Sequence, residues 1–490
     1  MQGLDSVLNI PIVEFKNFSF KYHFREKYVI ENLSFKINQG ETILLTGFSG
    51  SGKSTILYSI LGLIPHLYKG DTKGEVYVNG KNVLFSKISR ITEQVGYIPQ
   101  RVNNFITEPT VYEELSFGLE YKQTPSSETR VRVLSIAEDL SLKELLPRNP
   151  RNISEGEKQK TCLGSTLISY PELIIADEPL ANLDEINQKK TTNLLLKLKE
   201  QKYTIIIASH DISKYSFLSP KIFQIQNKKI TEIRFNEIEN RDSFLLKIKR
   251  IYPQNNSLTK NENTPFSLVL DKVHFKYKER EESVFENLSL SINNGKIVGI
   301  IGNNGTGKTT LLSLITGLLK PIKGQIAINN RYIHKFKWLE KASLFGFVSQ
   351  NPELQFFEET VENEVTLILR NLKRKVPAKE RIIEVLKEAG LGNYSLYSPF
   401  SLSEGEKGRL AFIASTFHNP KVILLDEITN GMDFENKRWL QKQLIKEKEK
   451  GKIILFASHD LMFLNSVADE IFVLKNKQLN KVKRKTKDQE

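Results

Sequence analysis

Two stretches of the chain, GFSGSGKST and GNNGTGKTT, place glycines around a lysine and a hydroxyl residue in the pattern G-x-x-x-x-G-K-[ST]. Glycines at these places let backbone N–H groups turn inward around phosphate oxygens, helped by the helix N-terminus behind them. The first candidate loop comprises Gly47, Phe48, Ser49, Gly50, Ser51, Gly52, Lys53, Ser54 and Thr55. The second comprises Gly302, Asn303, Asn304, Gly305, Thr306, Gly307, Lys308, Thr309 and Thr310. Lys53 and Lys308 are expected to reach the β- and γ-phosphates, with Ser54 and Thr309 on Mg²⁺. After each loop come a lone Gln (Gln100, Gln350), a Ser-Glu-Gly-Glu run and an apolar strand ending in Asp-Glu; a strand ending in Ser-His-Asp follows. Asp177 and Asp426 suit the Mg²⁺ shell, and Glu178 and Glu427 suit polarisation of an attacking water.

The two sets keep register. Tyr22 to Tyr277 and Lys53 to Lys308 are each 255 residues apart, and Gln100 to Gln350 is 250. Ser154 to Ser403, Glu178 to Glu427 and His210 to His459 are each 249. Chance matches do not keep both order and register, so the sequence reads as a duplicated nucleotide-hydrolysing module. A period this long means domain duplication rather than a solenoid.

The elements that must position these residues are legible as patterns. Alternating residues from Val13 and from Leu268 predict strands of an antiparallel sheet. Thr42-Ile-Leu-Leu-Thr and Ile297-Val-Gly-Ile-Ile predict the strands that feed the loops, and the residues after each loop have helical character. Strand, glycine loop and helix form the context a phosphate loop requires. The expected boundaries are residues 11–240 for the first module, 241–265 for a polar linker, 266–479 for the second module and 480–490 for a basic tail. The first module carries five extra residues between Gly62 and Gly74.

Composition narrows the classes. The 490 residues suffice for two domains with their own cores. The single Cys162 rules out a disulfide within the chain and a multi-Cys metal site, and a small buried thiol is expected there. No run approaches the roughly 18 consecutive apolar residues of a membrane span, and the first residues lack the pattern of a secretion signal. A cytoplasmic chain that reaches a membrane through a partner is expected. The net charge of +14 fits a solvated tail, an anionic membrane surface or RNA, and charge alone does not choose among them. His23, His66, His274, His334 and His418 lack catalytic context and are expected at the surface or in local packing.

Phosphate loop, Gln, signature, Asp-Glu and following His together resemble the ATP-binding-cassette ATPases, twice and over nearly the whole chain. The resemblance implies an α/β fold of two tandem P-loop domains, each with an antiparallel β subdomain and a helical signature subdomain. It implies two ATPs sandwiched head to tail between modules, with Mg²⁺ held at Ser54, Gln100 and Asp177 and at Thr309, Gln350 and Asp426. One site would use Lys53, Gln100, Asp177, Glu178 and His210, closed by Ser403, Gly405 and Glu406. The other would use Lys308, Gln350, Asp426, Glu427 and His459, closed by Ser154, Gly156 and Glu157. Tyr22 and Tyr277 match the aromatic that stacks on adenine, and His210 and His459 the switch histidine. Pairing within the chain makes a homodimer unnecessary.

Departures from the family pattern are specific. Glu155 and Glu404 stand where the family has its first signature glycine. A carboxylate about 6 Å from a γ-phosphate costs roughly 2–3 kcal/mol at an effective dielectric near 20, so each is expected to turn into solvent or to slow closure. The second Asp-Glu is followed by Ile428 in place of Pro179, and its acidic loop reads Asn430-Gly-Met-Asp433 against Ala181-Asn-Leu-Asp184. Hydrolysis at both sites, at rates that need not be equal, is the expectation.

The stretches after Gln100 and Gln350, the latter reading Asn351-Pro-Glu-Leu-Gln-Phe-Phe-Glu-Glu-Thr-Val-Glu, resemble the ATPases of energy-coupling-factor importers of vitamins and metal ions. That resemblance implies integral-membrane scaffold and substrate-binding partners, peripheral attachment to the inner face of the cell membrane, and no nucleic acid. Two alternatives remain open: a soluble tandem cassette acting on ribosomes, and the tandem ATPase of a sugar importer.

Overall fold

The computed structural model describes residues 10–23, 27–48, 50–100, 102, 105–180, 185–234, 266–278, 282–303, 305–430 and 432–482. The expected linker, Ser49, Asn304, the Ala181–Asp184 loop and most of the basic tail lie outside the described residues, as does the side chain of Glu155. The chain divides into two compact units, residues 1–242 and 243–490.

In the first unit the strands are β1 (Val13–Tyr22), β2 (Ile30–Ile37), β3 (Thr42–Gly47), β4 (Gly70–Val78), β5 (Lys81–Asn82), β6 (Val95–Ile98), β7 (Leu173–Asp177), β8 (Thr204–Ala208), β9 (Lys221–Gln226) and β10 (Lys229–Ile233). They form an antiparallel sheet in the order β2-β1-β4-β5 and a core sheet in the order β10-β9-β3-β8-β7-β6. The core sheet is parallel except for β10, which pairs antiparallel with β9.

The second unit repeats this plan with β11 (Ser267–Phe275), β12 (Phe285–Asn293), β13 (Lys296–Ile301), β14 (Lys323–Ile328), β15 (Arg331–Tyr332), β16 (Phe345–Val348), β17 (Val422–Asp426), β18 (Ile453–Ala457), β19 (Glu470–Lys475) and β20 (Gln478–Lys481). Its sheets run β12-β11-β14-β15 and β16-β17-β18-β13-β19-β20.

The core strands read as continuous apolar runs because both their faces are covered. Ile43, Leu45, Ile175 and Ile206 pack with Phe15, Phe18 and Phe20 of the antiparallel sheet. Their alternating neighbours Leu44, Ile174, Ile205 and Ile207 pack instead with Val111, Leu115, Val133 and Leu163 of the helical region. The period-2 alternation of a strand thus ties two subdomains to one sheet. Each antiparallel sheet also has a register shift, between Lys16 and Ser19 and between Asp271 and His274. Gly74 and Gly324 serve this irregularity: their φ values are +74° and +81°, and a Cβ there would lie 2.3 Å from the backbone oxygen of Asn17 and of Lys272.

The five extra residues form a helical turn, Leu63–His66, and lengthen β4 to nine residues against six in β14. Tyr68 of this insert stacks on Tyr58 of the helix after the first loop, with ring centroids 5.0 Å apart. The units also differ beside the signature helices. Trp439 packs edge-on against Phe412 and donates its indole N–H to Glu388 O at 3.1 Å. Lys190 holds the matching position in the first unit, beside a cavity of about 280 Å³ lined by Leu140, Leu163 and Gln159 among others.

Cys162 is buried, and burial pushes its thiol up to about 12, which makes it an unreactive core residue. No helix among the described residues is long and apolar enough to cross a membrane. His418 is also buried, with Nε2 3.1 Å from Phe345 O. Burial, aided by the charges of Arg374 and Lys452, pushes its pKa down to about 4. The unfolded chain, with a histidine pKa near 6.5, then binds the extra proton first, so stability is full above that value and falls as pH drops towards 4. The term is on the order of 3 kcal/mol at its limit. Thermal midpoints of His418→Gln measured from pH 7 to 4.5 should fall less steeply than those of the wild type.

Candidate active site

All the candidate catalytic groups sit at the carboxyl ends of the core strands, where open α/β sheets bind ligands. The first loop leaves β3, Gln100 lies two residues past β6, Asp177 ends β7, and His210 lies two residues past β8. The second unit places Gly302, Gln350, Asp426 and His459 in the same way relative to β13, β16, β17 and β18.

Each glycine loop ends in a helix, Lys53–Ile60 or Lys308–Thr316. Gly52 and Gly307 precede these helices at φ values of +106° and +105°, a backbone that disfavours a side chain. The lysines fold back over their own loops. Lys53 Nζ donates to Gly47 O at 2.7 Å and Phe48 O at 3.1 Å, and Lys308 Nζ to Gly302 O at 2.6 Å and Asn303 O at 3.2 Å. Each ammonium is therefore held against the carbonyl oxygens of its own loop.

Hydroxyl and aspartate meet in both units. Thr309 Oγ1 donates to Asp426 Oδ2 at 2.6 Å, and Ser54 Oγ to Asp177 Oδ2 at 3.4 Å. Asp426 Oδ1 is buried and has no hydrogen-bond partner. Burial raises the Asp426 pKa to about 6. A buried carboxylate oxygen without a partner, beside a hydroxyl, is the donor set an oxygen-seeking divalent cation takes. Gln100 is half-buried and Gln350 exposed.

Glu178 and Glu427 occupy left-handed backbone, with φ values of +49° and +50°, which is strained for a glutamate and concentrates at functional sites. Each backbone N–H is anchored across the sheet, to Ala208 O at 2.9 Å and to Ala457 O at 2.8 Å. Glu178 accepts from Ser209 Oγ at 2.8 Å and from His210 N at 2.9 Å, and His210 Nδ1 lies 2.6 Å from it. Burial alone would raise its pKa, but the adjoining His210 and these hydrogen bonds hold it below the usual carboxylate range.

Glu427 accepts from His459 N at 3.1 Å, has His459 Nδ1 at 2.9 Å and ion-pairs with Lys308 at 3.1 Å. Its pKa too is lowered despite burial, by His459 and Lys308. Both carboxylates are thus kept ionised, as acceptance of a water proton requires. The serine differs: Ser458 Oγ meets Thr429 Oγ1 at 3.2 Å in place of the glutamate. That change follows from the Ile428-Thr429 pair standing where the first unit has Pro179-Leu180.

Tyr22 and Tyr277 reach the loops through their hydroxyls, 3.2 Å from Thr55 Oγ1 and 2.9 Å from Thr310 Oγ1. Thr55 and Thr310 therefore hold these tyrosine side chains as well as ending the loop.

The signature serines cap the helices Glu155–Leu167 and Glu404–Thr416. Glu157 Oε2 accepts from Ser154 N at 2.8 Å and Ser154 Oγ at 2.7 Å, and Glu406 Oε2 from Ser403 N and Oγ, both at 2.8 Å. Each glutamate thus closes a capping box on its own helix. Gly156 is packed against the Asn187 side chain, where a Cβ would lie 2.2 Å from Oδ1, and Gly405 is buried in the matching turn. Glu404 faces Lys407 of its own helix at 3.7 Å.

Sequence reading passed over Glu114 and Glu364. Both are buried. Glu114 Oε2 accepts from the backbone N–H of Thr107 at 2.9 Å and Glu108 at 3.0 Å, and Glu364 Oε2 from those of Phe357 and Glu358 at 2.9 Å. They fix the segments that follow Gln100 and Gln350. The available signal was their matching place in the Thr-Val-x-x-Glu stretches, Thr110–Glu114 and Thr360–Glu364.

The family described as ABC transporter matches residues 30–181 and again 285–430. A Bacillus subtilis (strain 168) protein named as an HMP/thiamine import ATP-binding protein, YkoD, is 29% identical over 97% of this chain and 91% of its own length. An ABC transporter ATP-binding protein of Lactobacillus johnsonii is 31% identical over 92% of this chain and 86% of its own. Among solved structures, cbiO1 from Clostridium perfringens, part of the complex cbiONQ, is 24% identical with a TM-score of 0.43, covering 49% of this chain and 96% of that one. Two family matches carry the phosphate loops, the signatures and the paired acids. The chain belongs to the ABC transporter family, as an ATP-hydrolysing ABC ATPase with two tandem domains in one polypeptide.

Proposed function

We propose that this chain is the ATP-binding subunit that couples hydrolysis at two composite sites to import of a small solute, a vitamin or metal ion, through separate membrane subunits of the energy-coupling-factor type. The observation that carries the reading is the surface after Gln350. Leu354 and Phe357 are 76% and 77% exposed, and Phe400, 54% exposed, packs edge-on to the neighbouring Phe356. Large apolar side chains grouped in this way on a soluble face mark a contact site. Glu364 holds their segment in a fixed shape, so the face is presented preformed. The import activity in the name of the Bacillus relative supports the direction of transport.

In this reading the loop N–H groups with Lys53 or Lys308 hold the ATP phosphates. Ser54 with Asp177, and Thr309 with Asp426, hold Mg²⁺, which supplies charge neutralisation on the phosphates when bound. Gln100 and Gln350 complete these shells. Glu178 or Glu427 accepts the proton of the attacking water, and His210 or His459 keeps that carboxylate in place. Ser154, Gly156 and Glu157 close on the Lys308 loop, and Ser403, Gly405 and Glu406 on the Lys53 loop. ATP draws the modules together and hydrolysis releases them, a cycle the Gln100 and Gln350 surfaces pass to the membrane subunits. The chain sits peripherally on the inner face of the cell membrane.

The test is fractionation of cells expressing the full chain with Leu354→Asp and Phe357→Asp. Both side chains are exposed, so the thermal midpoint should hold within a few degrees. Recovery in the membrane fraction should fall at least tenfold, because a buried unpaired charge costs several kcal/mol at an interface. Unchanged membrane recovery would refute the assignment of this face.

A further inference from the structure

The segment after Gln350 is held at three points. Gln355 accepts from Ser349 N at 2.9 Å and donates to Phe347 O at 3.2 Å, which ties it to β16. Glu364 ties it to the helix Val361–Asn371. The third tie crosses to the signature helix: Glu353, in the 3-10 turn Pro352–Gln355, ion-pairs with Lys407. Lys407 is 8% exposed, and Glu404 lies 3.7 Å from the same ammonium. A buried ammonium is strongly disfavoured without a carboxylate, and of these two carboxylates Glu353 is the one outside the signature helix, so this pair ties that helix to the segment after Gln350.

We infer that Lys407 is a positioning residue for ATP hydrolysis: through Glu353 it makes the signature helix of the second module move with the segment that follows Gln350. The capping box at Ser403 and Glu406 sits on the turn that carries Lys407, so a shift of that segment is delivered to the signature serine. Position 103, which matches Glu353 in the sequence register, carries a neutral Asn, so the glutamate of this pair is not repeated there in the first module. Which ATP site feels the tie rests on the head-to-tail pairing proposed above: the signature at Ser403 would act on the site of Lys53 and Glu178.

The test is steady-state ATP hydrolysis by the full chain with Glu353→Gln, Lys407→Met, Lys407→Arg, the double Glu353→Gln/Lys407→Met, and the charge-reversed Glu353→Lys/Lys407→Glu. Each neutralising change should lower kcat about tenfold, the scale of a displaced reacting group, with the KM for ATP within about twofold. The neutralised double should be no worse than the poorer single, because the two residues form one unit. Lys407→Arg and the charge-reversed pair, which keeps two carboxylates and one ammonium, should recover most of the rate. A merely structural role would lower the thermal midpoint and leave kcat per folded chain at the wild-type value, which would overturn the inference. So would a reversed pair no better than the singles.

The same changes in Glu427→Gln and in Glu178→Gln backgrounds separate the two ideas. Loss confined to the Glu427→Gln background supports both the tie and the pairing. Loss confined to the Glu178→Gln background supports the tie and overturns the pairing.

Discussion

Changing Glu178 and Glu427 together to Gln is expected to lower steady-state ATP turnover by about 10²–10⁴-fold, the span a positioned general base contributes. The substitution keeps size and most hydrogen bonding and removes only the ability to take a proton, so binding of ATP should survive. Each carboxylate is the focus of its unit: it is buried, held in left-handed backbone, paired with the following histidine and kept ionised against the pull of burial. The singles carry the finer information. Since both units keep the lysine, and the glutamate in contact with its histidine, each single should retain measurable turnover from the other site. The environments differ, with Ser209 bonded to Glu178 and Lys308 paired with Glu427, so the two rates should be unequal. A Glu178→Gln chain at full activity beside an inactive Glu427→Gln chain would contradict hydrolysis at both sites.

Lys308→Ala and Lys53→Ala should each weaken ATP binding at their own site by about 10–100-fold, the equivalent of a lost charged hydrogen bond of roughly 1.5–3 kcal/mol. Isothermal titration in a hydrolysis-blocked chain would resolve the two sites. Their effects on folding should differ. Lys308 is 7% exposed and faces a carboxylate that is itself 4% exposed, and breaking such a pair strands a buried charge at a cost of about 3–5 kcal/mol. Lys53 is only half-buried. The thermal midpoint should therefore fall further for Lys308→Ala than for Lys53→Ala, and equal midpoints would count against a structural role for the Lys308–Glu427 pair.

The parts of this protein that could be read from sequence are those whose cause is local. The glycine loops, the core strands and the acids at their ends follow from patterns within ten residues. The capping boxes were also readable, as Ser-x-x-Glu at Ser154 and Ser403. By resemblance those glutamates read as residues that would close on ATP, and the structure adds that each is bound to its own helix. What lay out of reach depends on residues far apart in the chain. The Glu353–Lys407 pair spans 54 residues and the Thr429–Ser458 contact 29, and nothing in either stretch alone announces the other. The contrast of Trp439 with Lys190 has the same origin, since a substitution on one helix changes the space beside another.

The central claim is that this ATPase works through membrane subunits it does not itself contain. The most direct measurement is purification of the full chain from native membranes in mild detergent, at physiological salt, with the co-purifying proteins identified and counted. The account predicts integral-membrane subunits in near-stoichiometric amounts, lost when Leu354 and Phe357 are both changed to Asp. Recovery with no membrane protein, or with ribosomes that stay bound at that salt, would contradict it.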